Sequence, residues 1–174
     1  MPDYNEIEKS AYDLLVGHNL LGSVPIKLEE LLQKLKIHKE ERDLGEEISG
    51  LLVIKPSMTT IGLDKNQGDA RKNFTIAHEI GHFVLHQEEK KMFVDETIAV
   101  FARSGKSNNI EREANAFAAA LLMPKVLIHR LIDELGIDSF TISDEQIKNL
   151  AEKFQVSQIA MTYRLANLGI INLS

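Results

Sequence analysis

The chain has 174 residues, 44% of them hydrophobic and 26% charged, which is enough to bury one sizeable core within the size of a single domain, residues 1–174. It contains no cysteine, which excludes a disulfide framework and any thiolate-ligated metal site. Its net charge of −6 disfavours a phosphate-binding surface. The start MPDYNEIEKS lacks the basic and apolar segments of a signal peptide, and no apolar run approaches the roughly 20 residues that span a bilayer; a cytoplasmic protein is expected, neither exported nor inserted in a membrane.

In chain order, Asn5 to Val16 reads as an amphipathic helix through Ile7, Ala11, Leu14 and Leu15, and a second helix, Leu28 to Leu35, follows a turn at Gly22 to Pro25. Ile48 to Ile54 and Thr60 to Asp64 read as two strands joined at Lys55-Pro56-Ser57, a hairpin. A polar stretch, Lys65 to Asp69, leads to a helix carrying FTIAHEIGHFVLH from Phe74 to His86. Met92 to Ala102 alternates enough for another strand, and Arg103 to Asn109 is a small polar loop. Asn109 to Pro124 is an alanine- and leucine-rich helix with acids in its first turns. Ser143-Asp144-Glu145-Gln146 is a capping box opening a helix through Phe154, and Val156-Ser157 opens another through Leu168.

His78-Glu79-Ile80-Gly81-His82 is a complete H-E-x-x-H on the third of these helices. Residues i and i+4 share a helical face one turn apart, so the imidazoles of His78 and His82 can converge on one ion. Glu79, one residue on, is placed to meet a water at the ion's open position as general base. Gly81 costs roughly 1 kcal/mol relative to alanine in a helix interior, and its bare Cα would let a strand or substrate come close. Hydrophobic flanks bury these polar groups, which is costly unless something satisfies them.

A catalytic zinc site needs a third protein ligand and leaves one position open. A third histidine six residues after His82 is absent: that position holds Glu88. His86 shares the helical face, but it lies about 12 Å from His78 along the axis, and an outer role beside a ligand or at the helix end suits it better. Glu111 and Glu113, on the helix that begins at Asn109, compete for the place. Zinc peptidases with a glutamate third ligand commonly show E-x-x-A-D/N, and Glu111, Ala114 and Asn115 fit it whereas Glu113 does not. Glu111 and Asn115 share a face, so one can bind metal while the other braces a ligand imidazole.

Three segments, ISGLLVIK (Ile48 to Lys55), RKNFTIAHEIGHFVLH (Arg71 to His86) and EREANAFAAALLMP (Glu111 to Pro124), together resemble the ImmA/IrrE family of metallo-endopeptidases, and the similarity extends to VSQIAMTYRLANLGII at the far end. The resemblance implies an α+β, zincin-like metallopeptidase domain: a small antiparallel sheet packed with several helices over residues 1–125 and a helical C-terminal part over 126–174. It implies one Zn2+ per chain, held by His78, His82 and Glu111 with Glu79 as base, and a protein substrate, commonly a helix-turn-helix repressor or antitoxin-like regulator encoded nearby.

Two other readings belong beside this one. A metal-binding sensor could use the same fold without cleaving anything. The two C-terminal helices, joined by F-x-V-S, resemble a helix-turn-helix, but from Asp138 onward four acids (Asp138, Asp144, Glu145, Glu152) face three bases (Lys148, Lys153, Arg164), so packing against the peptidase core is the expected role. An oxyanion-stabilising donor is also required; Tyr12, His129, Tyr163 and Arg164 are candidates.

Overall fold

The computed structural model describes residues 3–88, 91–96, 109–138 and 141–172. Helix α1 (Tyr4–Gly17) is capped by the Asp3 carboxylate, which accepts from the backbone N–H groups of Asn5 and Glu6, and it buries Ile7, Ala11 and Leu15. Helix α2 (Leu28–Leu35) buries Leu28, Leu31 and Leu32 and stops where Lys36 enters the left-handed region at φ 57°.

Four strands follow: β1 (Ile37–Arg42), β2 (Ile48–Lys55), β3 (Met58–Asp64) and, after helix α3 (Asp69–His86), β4 (Met92–Glu96). Their order in the sheet is β1-β3-β2-β4. The β2–β3 hairpin turns at Pro56-Ser57, between the paired Lys55 and Met58, and β4 pairs antiparallel with β2. The expected antiparallel sheet therefore holds for three strands, while β1 runs parallel to β3 and makes the sheet mixed. β1 lies outside the strands expected from the sequence because IHKEER has no apolar alternation. Its one buried residue is Ile37, while Lys39 pairs with Glu29 of α2 and the exposed Glu41 with Lys72 of α3. In β4 the expected strand holds over Met92–Glu96; the rest of that segment and the loop expected from Arg103 lie outside the described residues up to 108.

Gly50, Leu52, Ile61, Leu63 and Phe93 are buried on the sheet, with Leu52 opposite Ile61 on one side and Phe93 on the other. Helix α3 packs on β2 and β3, helix α4 (Asn109–Leu122) packs against α3, and α1 packs on α4. Asn109–Glu134 is long and apolar enough by composition to cross a membrane. In the fold it is broken at Pro124 into α4 and a further helix, α5 (Lys125–Glu134), and it buries Phe117, Leu121, Leu127 and Ile128 in the core. α5 is the second element beyond those expected: Pro124 ends one helix and, as N-cap, begins the next.

Helices α6 (Asp144–Phe154) and α7 (Gln158–Asn167) form the C-terminal part. The capping box at Ser143 is formed in both directions, with Gln146 Oε1 accepting from the Ser143 N–H at 2.9 Å. Arg164, the lone base of α7, is only 6% exposed. Its Nε donates to the Met123 carbonyl at 2.9 Å, and its two terminal nitrogens grip both carboxylate oxygens of Glu8 at 2.6 and 2.8 Å. The guanidinium thus ties α7 to α1 and to the end of α4.

Candidate metal centre

Helix α3 places its H-E-x-x-H inside the protein. His78 is 2% exposed, Glu79 is fully buried and His82 is 1% exposed. The apolar residues Ile76, Ala77 and Ile80 of the same helix are buried beside them, as their spacing requires. Groups this polar are held in a core only where something compensates their lost hydration, and for the two histidines the compensation comes from α4.

The Glu111 carboxylate reaches across from the first turn of α4, where negative charge is favoured by the helix dipole. Its Oε2 lies 3.2 Å from His78 Nε2 and 3.4 Å from His82 Nε2, and the two Nε2 atoms are 3.0 Å apart. Ligand bonds of about 2.0–2.1 Å meeting at tetrahedral angles put ligand atoms about 3.3 Å from one another. The observed triangle has those dimensions, and His78, His82 and Glu111 are the group among the described residues with metal-ligand spacing. Two imidazoles and a carboxylate form a donor set that suits a catalytic divalent cation.

The protonation states agree with that role. Burial pushes the His82 imidazole down, against the pull of Glu111, which favours the neutral ring a ligand must present. Burial alone would raise the Glu111 carboxyl, but the adjacent imidazoles of His78 and His82 outweigh it and hold the group well below the usual carboxylate range.

The remaining expected residues separate into those brought to this cluster and those kept from it. Asn115 is at hand: its Oδ1 accepts from His78 Nδ1 at 3.1 Å, leaving Nε2 bare toward the cluster. Glu113 points elsewhere, its Oε2 accepting from His86 Nε2 at 2.9 Å. His86 itself is 2% exposed, with Nδ1 3.2 Å from His82 Nδ1. A cavity of about 330 Å³ beside the centre is lined by Arg71, Phe74, Asn115, Ala160, Tyr163 and Arg164. Of the oxyanion candidates, Tyr163 is exposed there, whereas Arg164 is engaged with Glu8. Tyr12 and His129 line a separate groove between α1 and α5 that contains none of the cluster residues.

Two residues that shape the centre, Phe93 and Gly50, escape a reading by motif. Phe93 of β4 stacks on the His82 ring, with centroids 4.3 Å apart and planes at 18°. Gly50 of β2 faces Thr75 and Glu79, and it sits where the β2–β4 register shifts between Ile48 and Gly50, a bulge that re-aims the strand beside the site. Gly81, expected to admit a strand or substrate, lies instead against Ala114 and Phe117, so the element admitted by its missing side chain is the helix α4. A glycine inside an apolar strand is a sign of close approach, and ISGLLVIK carries it at Gly50; nothing local marks Phe93.

Residues 32–166 match a peptidase family described as the IrrE N-terminal-like domain. Metallopeptidase ImmA of Bacillus subtilis strain 168 is 27% identical over 140 residues, 80% of this chain and 75% of that protein. Uncharacterized immunity region protein 2 of Bacillus phage phi105 is 27% identical over 120 residues, 69% of this chain and 70% of that protein. The solved structure of a Mycobacterium tuberculosis transcriptional regulator superposes with a TM-score of 0.58 at 18% identity, over 92% of this chain and 47% of that one. The chain thus spans about half the length of that regulator, and the likeness is one of fold.

Proposed function

Since the chain belongs to the IrrE N-terminal-like family and is a metallo-endopeptidase, we propose that it uses zinc to cut a cytoplasmic regulatory protein at a specific site. The observation that carries the catalytic part is the triangle of His78 Nε2, His82 Nε2 and Glu111 Oε2 with Glu79 on the same helix.

In this reading His78, His82 and Glu111 hold the ion. When bound, zinc supplies Lewis acidity, polarising the scissile carbonyl and making the attacking water more acidic. Glu79 takes the proton of that water on its carboxylate and delivers it to the nitrogen of the leaving amine, so one group serves as base and then as acid. Asn115 keeps the His78 proton on Nδ1, and Gly50 and Thr75 wall the Glu79 side chain so that it stays aimed. The fold around them keeps bulk water from the buried face of the two histidines.

The substrate side of the proposal draws on the relatives. One of them bears a phage immunity-region name, which favours a repressor or antitoxin-like regulator, in particular a helix-turn-helix protein encoded nearby. The test is to incubate such a neighbour with the wild type and with Glu79→Gln and to weigh the products. One pair of fragments is expected from the wild type and none from the variant, which still retains zinc. Cleavage by Glu79→Gln would remove Glu79 as the general base, whereas full activity of that variant in releasing the regulated gene without cleavage would leave a non-proteolytic metal-binding regulator.

A further inference from the structure

We propose that Glu113 and His86 form a positioning relay that fixes the ring tautomer and aim of His82, and so sets how tightly the centre holds its metal. The proposal rests on the metal centre of the preceding section and on none of its substrate assignment.

Three groups lie in series. Glu113 Oε2 is 2.9 Å from His86 Nε2, and His86 Nδ1 is 3.2 Å from His82 Nδ1. At the other edge of the His82 ring, Nε2 joins His78 and Glu111. A carboxylate can only accept, so the proton of the His86 ring sits on Nε2. With a single ring proton there, His86 Nδ1 is bare and accepts. The contact at 3.2 Å then requires His82 Nδ1 to carry its proton. His82 Nε2 is left with an open lone pair directed at the cluster. Each step compels the next, and the series starts at a partly exposed carboxylate and ends at a nitrogen that is almost fully buried.

The two ligand histidines are therefore braced by different means. His78 has an amide oxygen from Asn115 directly against its Nδ1. His82 points its Nδ1 along the helix toward the residue four positions on, where the shared face supplies another imidazole in place of an acceptor oxygen. Glu113 compensates by polarising that intermediate ring. The stack of Phe93 on His82 holds the plane of the ring, while the relay sets which nitrogen is bare. This gives a role to both Glu113 and His86, neither of which the three-ligand shell uses.

The test measures zinc affinity by competition with a chelator and the His82 tautomer by nitrogen NMR of the metal-free protein. Glu113→Ala is expected to weaken zinc binding about 10- to 100-fold, as loss of an outer partner typically does, and to turn His82 from one tautomer into a mixture. Glu113→Gln, whose amide oxygen still accepts, should recover most of the affinity. His86→Phe should match Glu113→Ala, and the double variant should be no weaker than His86→Phe alone, because both act through one series. Should His86→Phe fail to fold, the two Glu113 variants carry the test on a partly exposed position. Zinc affinity within twofold of wild type in Glu113→Ala, or an unchanged His82 tautomer, overturns the relay. A wild type that holds zinc yet cleaves nothing would defeat the proposed peptidase substrate and leave the relay standing.

Discussion

Gly50 of β2 lies directly against Glu79 of α3: a Cβ at Gly50 would stand 3.1 Å from Glu79 Oε1 and 2.3 Å from Thr75 Cγ2. The strand can pass this close to the proposed base only without a side chain. Gly50→Ala should therefore cost about 1–3 kcal/mol through overpacking. Displacement of Glu79 should also lower kcat by at least tenfold while zinc content stays near one per chain. Thermal melting, metal analysis and single-turnover cleavage check the three parts; unchanged kcat would mean that the base tolerates the shift.

Gly81 poses a contest between local and tertiary terms. Alanine is favoured over glycine in a helix interior by about 1 kcal/mol. Its Cβ would meet Ala114 Cα and O at 3.2 Å and Phe117 Cβ at 3.3 Å, and the first two are backbone atoms that retreat only if α4 moves. We expect the tertiary term to win, so that Gly81→Ala melts lower than wild type. Because α4 carries Glu111, zinc affinity should fall as well. A higher melting temperature with unchanged affinity would show that α4 yields at no cost.

The two acids of α4 should behave differently when removed. Glu111→Ala is expected to leave purified protein with little zinc, whereas Glu113→Ala should retain it under saturating metal. Stripping zinc from the wild type with a chelator should abolish cleavage, and restoring zinc should recover it. Full zinc content in Glu111→Ala would exclude that residue as the third ligand.

Acid should destabilise the metal-free protein in two stages. Burial holds the His82 imidazole below its ordinary 6.5, with Glu111 pulling the other way. Glu111 is pushed up by burial but pulled further down by His78 and His82, to well below its ordinary 4.5. In both cases the unfolded chain binds more protons over the window between the two states, so stability falls with pH there. The His82 contribution is complete above about 6.5 and erodes as pH drops past it; that of Glu111 is complete above about 4.5 and erodes below. Melting temperatures of chelator-treated protein from pH 8 to pH 4 provide the check, and a flat profile between pH 7 and pH 5 would contradict the His82 part.

The centre was legible where its geometry is local. One turn of helix brings His78, Glu79 and His82 together, so their spacing alone carries them, and the offset of Glu111 from Asn115 repeats the same periodicity on α4. What stayed hidden depends on which elements meet. Glu113 resembles a solvated acid until α3 and α4 are packed and His86 is found beneath it. Phe93 is one apolar residue among many until β4 is laid beside β2. The fold divides in the same way. The hairpin and the amphipathic helices announce themselves by alternation and by recurrence at three and four residues. β1 does not, because Ile37 is its one buried residue and Lys39 and Glu41 pair with charges on neighbouring helices. Reading Pro124 only as a helix stop also passes over α5, which starts at the same proline.

The grip of Arg164 on Glu8 joins positions 156 residues apart in the chain. During synthesis from the N-terminus, α1 and α4 can meet long before α7 exists, but the Glu8 carboxylate must wait 156 residues before this partner arrives. A ribosome-bound fragment that already contains the proposed metal ligands would still lack the last tie holding α1 in place. Final locking of the helical layer is therefore deferred until α7 has been made.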